Sequence, residues 1–96
     1  MTSGQENRMI SVELYSSASC GYCVAAKTLL KQKGFDYEEI RIDMDPVRRD
    51  EMLSRSGGRR SVPQIFINGI YVGGFDELVA ADRSGKLAEF AASAQA

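Results

Sequence analysis

The stretch Val62–Gly73, VPQIFINGIYVG, decides the fold, because two apolar runs flank the pair Asn68-Gly69. A tight two-residue turn of type I′ needs positive φ at both positions, and Asn-Gly is well suited to this need. The two runs therefore predict the antiparallel strands of a hairpin. Pro63 opens the first strand, where a proline is tolerated, and Gly73-Gly74 ends the second.

Upstream of this hairpin, the pattern predicts a helix and, before it, a strand. Asp45-Pro46 is typical of an N-cap followed by proline at the first helical position, and the helix continues to about Arg55. The preceding strand spans about Tyr37 to Ile42. Its apolar residues change phase along the strand, which either a bulge or a late strand start would explain.

The first strand and helix lie nearer the N-terminus. Ile10, Val12 and Leu14 alternate with polar residues, which is the period of a strand. Apolar residues then recur at helical spacing over residues 20–33, and Gly34 is typical of a helix C-terminus. We therefore expect a strand, a short polar loop and a helix in this part of the chain.

After the hairpin, the chain returns to helix. Asp76 can cap a final helix, Ser84-Gly85 interrupts it, and Lys86–Ala94 continues it. The order β-α-β-α-β-β-α predicts an α/β fold with one mixed four-stranded sheet, flanked by helices on both faces. Ninety-six residues leave room for one core. We expect a flexible tail over residues 1–9 and a single domain over residues 10–94.

The composition excludes several classes of chemistry. The chain has no histidine, which excludes a Ser-His-Asp triad, a Cys-His dyad and any histidine-ligated metal. Twelve basic residues face thirteen acidic ones, and the net charge of −1 argues against nucleic acid as a partner. Chemistry must therefore come from cysteine, carboxylate, tyrosine or basic side chains.

Hydropathy and cysteine content indicate the compartment. No apolar run approaches the ~18 residues of a membrane span. Met1–Arg8 is polar and lacks the apolar stretch of a secretory signal. We therefore expect a cytoplasmic protein with no membrane partner. A stable structural disulfide is uncommon there, so a close cysteine pair points to catalysis or metal binding.

The two cysteines lie in Cys20-Gly21-Tyr22-Cys23, where the first loop enters the first helix. The unpaired N–H groups and the positive end of the helix dipole stabilise a thiolate, so we expect a lowered pKa for the Cys20 thiol. A thiolate of low pKa also leaves a mixed disulfide faster. Cys23 lies one helical turn further on, so one cysteine can attack a disulfide and the other can resolve it.

A zinc half-site or a buried inert pair is the alternative interpretation of this motif. A zinc site needs about four ligands, and the chain has neither a second cysteine pair nor a histidine. The position at a helix start favours a redox role or the ligation of a cluster.

Two further segments are candidate ligand sites. If the Val62–Pro63 bond is cis, the N–H and C=O of Val62 are free to pair with an extended peptide-like ligand. A plain edge-strand proline is the alternative. Gly73-Gly74-Phe75-Asp76 allows a carboxylate to approach a helix N-terminus, and Asp76 can meet an ammonium group. A strand-to-helix turn with an N-cap is the alternative there.

A basic cluster lies before the hairpin. Such a run is usually a solvated face, balanced here by neighbouring acids, but one or two of its members can instead recognise a ligand carboxylate. The cluster consists of Arg48, Arg49, Arg55, Arg59 and Arg60.

Three blocks of the sequence together resemble a dithiol glutaredoxin. They are CGYC at 20–23, SVPQIFING at 61–69 and GGFDEL at 73–78, and the likeness covers about Ser11 to Phe90 in order and spacing. The resemblance implies a thioredoxin fold and a glutathione-dependent reduction of protein disulfides and glutathione mixed disulfides. Disulfide-containing or glutathionylated proteins would be the partners, and the chain would act as a monomer.

The resemblance also implies a role for individual residues. Cys20 would be the nucleophile and Cys23 the resolving thiol. Val62 would pair with the backbone of glutathione, while Phe75 and Asp76 would hold its γ-glutamyl carboxylate and amine. The full set of residues that the resemblance places around glutathione is Tyr22, Arg49, Val62, Pro63 in cis, Gly74, Phe75 and Asp76.

Two departures from the family pattern bear on function. Many members have a lysine three residues before the first cysteine, where this chain has Ser17, so one cation that would stabilise the Cys20 thiolate is absent.

Gly21 stands where many members have proline. In the family, loss of that proline is associated with a [2Fe–2S] cluster held between two monomers by the first cysteine and glutathione. A dimeric cluster carrier or sensor, with Cys20 as ligand, is therefore the alternative function. Reduction by thioredoxin reductase is a third possibility, against which the glutathione-groove residues argue.

Overall fold

The computed structural model describes residues 10–92, over which four strands and four helices follow one another. The predicted tail over residues 1–9, and residues 93 and 94 of the predicted domain, lie outside this part. In chain order the elements are β1 Val12–Ser16, α1 Gly21–Gln32, β2 Glu38–Arg41, α2 Pro46–Arg55, β3 Gln64–Ile67, β4 Ile70–Gly73, α3 Phe75–Ser84 and α4 Lys86–Ala92.

The four strands form one mixed sheet in the order β2-β1-β3-β4. β1 pairs with β2 in parallel, with Tyr15 opposite Ile40, and with β3 in antiparallel fashion, with Leu14 opposite Ile65. β3 and β4 form the predicted antiparallel hairpin, in which Asn68 and Gly69 have φ values of 53° and 81°. The predicted mixed four-stranded sheet is thus confirmed.

The sheet buries both faces. One face carries Val12, Leu14, Ile65 and Ile67, and it packs against buried side chains of α1, α3 and α4. These side chains are Ala26, Leu30, Leu78, Ala81 and Leu87. The other face carries Tyr15, Ile40 and Phe66, which pack against Met52 of α2. Helices therefore flank both faces, as predicted.

A polar network also ties α2 to the sheet. The Tyr15 hydroxyl donates to the Glu51 carboxylate, and Arg55 donates to Tyr15 Oη over 2.8 Å and to Glu13 over 2.9 Å. The Arg55 guanidinium lies 4.0 Å from the centre of the Phe66 ring. Burial, followed by the bond to Glu51, raises the pKa of Tyr15. The network holds α2 and the segment after it at a fixed position over the sheet.

The structure corrects or resolves three local predictions. β1 begins at Val12, and Ile10 packs against the core from outside the strand. β2 begins at Glu38, so a late strand start explains the change of phase. The N-cap of α3 is Gly74, and the expected cap by Asp76 is wrong. Within residues 10–92, no helix is both long and apolar enough to cross a membrane.

Candidate active site

Cys20 is the N-cap of α1, as its position in the sequence implied. Its backbone is extended, with φ −104° and ψ 104°, and its Sγ accepts a hydrogen bond from the Cys23 N–H over 3.1 Å. The backbone thus directs an N–H group at the sulfur, which favours negative charge there.

Cys20 and Cys23 form a disulfide, and the two sulfurs differ in access. Cys20 is half-buried, whereas Cys23 is 1% exposed and belongs to the buried face of α1. A partner molecule can therefore reach the sulfur of Cys20, whereas Cys23 can react only with a group that is already bonded to the Cys20 sulfur. Such an asymmetry suits an attacking and a resolving cysteine, and the assignment of these roles to Cys20 and Cys23 stays a prediction.

A groove of about 240 Å³ opens beside this disulfide. One wall comes from the segment before β3, where the Val62–Pro63 bond is cis and the Val62 carbonyl oxygen lies 3.8 Å from Cys20 Sγ. The other wall comes from the start of α3. The lining residues are Tyr22, Ser61, Val62, Pro63, Gly74, Phe75, Asp76 and Glu77.

Two aromatic rings meet across the groove. The Tyr22 and Phe75 ring centres are 6.0 Å apart, with a tilt of 30° between the ring planes. Tyr22 is 67% exposed. Its exposed face is available to a ligand or a partner surface next to Cys20.

The start of α3 presents unpaired N–H groups to the groove. Gly74 has no side chain to cap the helix, and the Glu77 carboxylate instead accepts a hydrogen bond from the Gly74 N–H over 2.8 Å. Phe75 and Asp76 form the first turn, and Asp76 is exposed. An incoming carboxylate would meet a positive helix end there, close to the existing carboxylates.

The groove brings together six of the seven residues that the resemblance placed around glutathione. Arg49 is the exception: it lies exposed on α2 and does not line the groove. Ser61 and Glu77 line it without having been predicted. The signal for Glu77 was its spacing of three residues after Gly74, the N-cap of α3. The signal for Ser61 was only its position before Val62.

A second groove, of about 480 Å³, shares the cysteine pair. It contains two cations, but both are paired: Lys27 Nζ lies 3.0 Å from Glu39, and Arg41 lies 2.7 Å from Asp43. The lining residues are Ser17, Ala18, Ser19, Cys20, Gly21, Cys23, Val24, Lys27, Glu39 and Arg41. Ser17, which stands in the family's lysine position, therefore lines the same groove as the cations Lys27 and Arg41.

Two carboxylates are held ionised here: Glu39, which lines this second groove, and Asp43, which pairs with Arg41. Hydrogen bonds from Ser16 and then Lys27 lower the pKa of Glu39. The guanidinium of Arg41 lowers the pKa of Asp43 to about 2. Asp43 also accepts a hydrogen bond from the Ala18 N–H over 3.2 Å, so it anchors the loop that leads into Cys20.

Comparison with known proteins connects this geometry to a family. The family model described as Glutaredoxin matches residues 12–72. "Glutaredoxin 3" of Escherichia coli strain K12 is 47% identical over 79 residues, covering 82% of this chain and 94% of that protein. The chain belongs to the glutaredoxin family. A relative named "Glutaredoxin" from Pseudomonas aeruginosa is 48% identical and covers 82% of this chain and 93% of its own length.

Solved glutaredoxin structures share the architecture. The buckwheat glutaredoxin–glutathione complex superposes with a TM-score of 0.77 at 28% identity, covering 100% of this chain and 92% of that one. The solution structure of glutaredoxin from Brucella melitensis gives a TM-score of 0.72 at 43% identity, covering 84% and 87%. The predicted thioredoxin fold and the resemblance to a dithiol glutaredoxin are confirmed. The chain is a thiol-disulfide oxidoreductase.

Proposed function

We propose that this glutaredoxin uses glutathione to reduce glutathione mixed disulfides and protein disulfides. The observation that carries the proposal is the position of half-buried Cys20 at the N-terminus of α1, where its sulfur lies 3.8 Å from the Val62 carbonyl oxygen of the groove. The buckwheat relative, with glutathione in its complex, supports the choice of ligand.

The groove offers a separate contact for each part of the tripeptide. The N–H and C=O of Val62 face an extended backbone, as in strand addition. The N–H groups at the start of α3 suit the γ-glutamyl carboxylate, and Asp76 suits its amine. The rings of Tyr22 and Phe75 would cover the apolar part of the tripeptide. The resemblance places Arg49, which is exposed on α2, near the glycine carboxylate of glutathione, and this contact stays a prediction.

Reduction of a glutathionylated protein takes two exchanges at Cys20. Its thiolate attacks the glutathione sulfur, so a Cys20–glutathione disulfide forms and the protein thiolate leaves. The thiolate of a second glutathione attacks the glutathione sulfur of that bond, giving oxidised glutathione and restoring the Cys20 thiolate. The substrate gains two electrons, and two glutathione sulfurs supply them.

A protein disulfide needs Cys23 as well. Cys20 attacks one substrate sulfur, and the first substrate thiolate leaves. Cys23, once deprotonated, attacks the Cys20 sulfur, so the second substrate thiolate leaves and the Cys20–Cys23 disulfide forms. That disulfide is the form in which the structure holds the pair. Two glutathione molecules then return it to the dithiol.

The experiment is steady-state reduction of a glutathionylated peptide, with glutathione and glutathione reductase as the electron supply. We expect Cys20→Ser to abolish turnover and Cys23→Ser to retain it. For a protein disulfide, both substitutions should stop the two-cysteine route. Equal loss in both variants on the glutathionylated peptide would contradict the division of labour.

A [2Fe–2S] cluster shared between two copies is the alternative function that we retain. Within residues 10–92, no group of three or more His, Cys, Asp or Glu residues lies together as a metal site. In the arrangement that the resemblance implies, Cys20 from two chains and the sulfur of glutathione would hold the cluster. The open space around Gly21, where an added Cβ would meet no atom within 4 Å, is compatible with such an approach. Anaerobic reconstitution with iron, sulfide and glutathione tests it: a coloured dimer supports the alternative, and a colourless monomer opposes it.

A further inference from the structure

Gln64 is a fully buried polar residue in a position that the reaction scheme does not use. It is the first residue of β3, is 0% exposed, and lies on the same face of the sheet as Phe66. Polar side chains are seldom buried so completely without a defined set of hydrogen bonds. The residue follows directly after Val62–Pro63, the wall of the groove beside Cys20.

The side chain of Gln64 donates to the backbone of the groove wall. Its Nε2 donates to the Arg59 carbonyl over 2.8 Å and to the Ser61 carbonyl over 2.9 Å. Its Oε1 is buried and has no hydrogen-bond partner. The reverse orientation of the amide would place that oxygen against two carbonyl oxygens, so the two donors fix how the amide is turned. The orientation of the amide thus satisfies two backbone carbonyls and leaves its own oxygen without a hydrogen bond.

The bond to Ser61 sets the direction of the next N–H group. Within residues 10–92, Val62–Pro63 is the one cis peptide bond, so the Ser61–Val62 peptide is trans. In a trans peptide the C=O and N–H point in opposite directions. Because the Ser61 carbonyl points inward at Gln64, the Val62 N–H points away from the core. In the described chain this N–H donates to no other residue.

We propose that Gln64 is a positioning residue, which holds the Ser61–Val62 peptide so that the Val62 N–H faces the groove as a donor for the bound tripeptide. The inference rests on the proposed function, because Val62 is the backbone contact proposed there for glutathione. Gln64 itself touches neither the ligand nor the sulfurs. Its effect on the reaction passes through the orientation of one peptide plane.

The test compares two substrates in Gln64→Met, which keeps an unbranched side chain of similar length but has no donor. On a glutathionylated peptide, KM should rise about two- to tenfold, the range expected for one lost hydrogen bond, with kcat little changed. Single-turnover reduction of 2-hydroxyethyl disulfide, which has no peptide backbone to pair with Val62, should keep its rate. In that reaction Cys20 and Cys23 become a disulfide, and two molecules of 2-mercaptoethanol are released.

Asn68→Gly is the matched control. The Asn68 amide also donates to two backbone carbonyls, those of Phe90 over 2.8 Å and Ala91 over 3.1 Å, but it lies in the hairpin turn. Glycine keeps the positive φ of that turn. We expect lower stability and an unchanged KM. An equal rise of KM in both variants, or an equal loss of rate on both substrates in Gln64→Met, would mean that Gln64 acts through stability alone.

Gln64→Glu gives a second, independent readout, and it serves if Gln64→Met does not fold. The ionised glutamate cannot donate, whereas the protonated form donates to one carbonyl. The ratio of the variant's KM to the wild-type KM at the same pH should therefore fall as the pH is lowered. A constant ratio would overturn the inference. If the wild-type protein itself shows no saturable turnover of the glutathionylated peptide, the proposed function fails instead.

Discussion

The carboxylate of Glu77 accepts a hydrogen bond from the Gly74 N–H, with 2.8 Å between Oε1 and the nitrogen, inside the groove that a ligand carboxylate would enter. It occupies one of the N–H groups at the start of α3 and adds negative charge beside the others. Glu77 therefore stabilises the helix and competes with an anionic ligand for the same positive end.

The first prediction separates these two effects. Glu77→Ala should lower stability by about 0.5–1 kcal/mol, because the helix loses its N-terminal carboxylate. The same change should tighten glutathione binding about two- to fivefold, measured by calorimetry on the reduced protein. Glu89→Ala is the control, since Glu89 lies in the first turn of α4 and does not line the groove. It should lower stability without changing affinity; weaker binding in Glu77→Ala would contradict the competition.

The second prediction concerns Gly73, whose φ of +124° is open mainly to glycine. A Cβ there would lie 2.8 Å from both Cβ and Cγ of Glu77. Gly73→Ala should therefore destabilise the chain by about 2–4 kcal/mol, from strain and overpacking together. Gly85→Ala isolates the strain, because Gly85 has φ +86° and open space around its Cβ position. Its loss, read from the urea midpoint, should be about 1–2 kcal/mol. Equal losses would show that the contact with Glu77 costs nothing.

The third prediction follows from Gly21, the first residue of α1. Proline is favoured at the first position of a helix, where the N–H of the residue has no partner within the helix. Cys20, the residue before Gly21, already has the extended backbone that a following proline requires. Gly21→Pro should therefore stabilise the oxidised protein by about 0.4–1 kcal/mol, measured by thermal unfolding. Gly21→Ala, which keeps the N–H, is the comparison. A loss of stability confined to the proline variant would contradict this expectation.

The fourth prediction is a pH dependence of stability. The hydrogen bond from Tyr15, followed by the charges of the neighbouring arginines, lowers the pKa of Glu51 from its usual 4.5. The folded state therefore binds fewer protons than the unfolded state, so this contribution is present above pH 4.5 and is lost as the pH falls through the lowered value. Glu51→Gln should flatten the acid side of the stability curve, measured by chemical unfolding at several pH values. Asp36→Asn, at an exposed carboxylate outside the network, is the comparison, and an equal flattening in both variants would contradict the assignment to Glu51.

The elements whose ends are set by local chemistry could be predicted from the sequence. Asp45 caps α2 by accepting from the Arg48 N–H over 3.2 Å, as its side chain and the proline after it imply. Asn68-Gly69 forms the turn because few pairs tolerate two positive φ values. The expected cap at Asp76 was wrong. The N-cap is Gly74, which has no side chain, and the carboxylate of Glu77 accepts the hydrogen bond from the Gly74 N–H instead.

The groove itself was harder to predict from the residues alone. The family resemblance placed Val62 and Asp76 near one ligand, and the structure brings their segments together on the two walls. The direction of an exposed arginine such as Arg49 depends on solvent and neighbours, which spacing does not encode. The role of Gln64 was also hidden, since an amide at the start of an apolar strand shows no partner until the preceding loop is folded back over it.

The unequal access of the two cysteines also governs how peroxide damage would proceed. An oxidant meets the sulfur of Cys20 first, because Cys23 is 1% exposed. The resulting sulfenic acid would condense with the adjacent thiol, releasing water and closing the ring between the two residues. A harmful oxidation would thereby end in a bond that ordinary turnover already breaks, instead of continuing to the irreversible sulfinic acid.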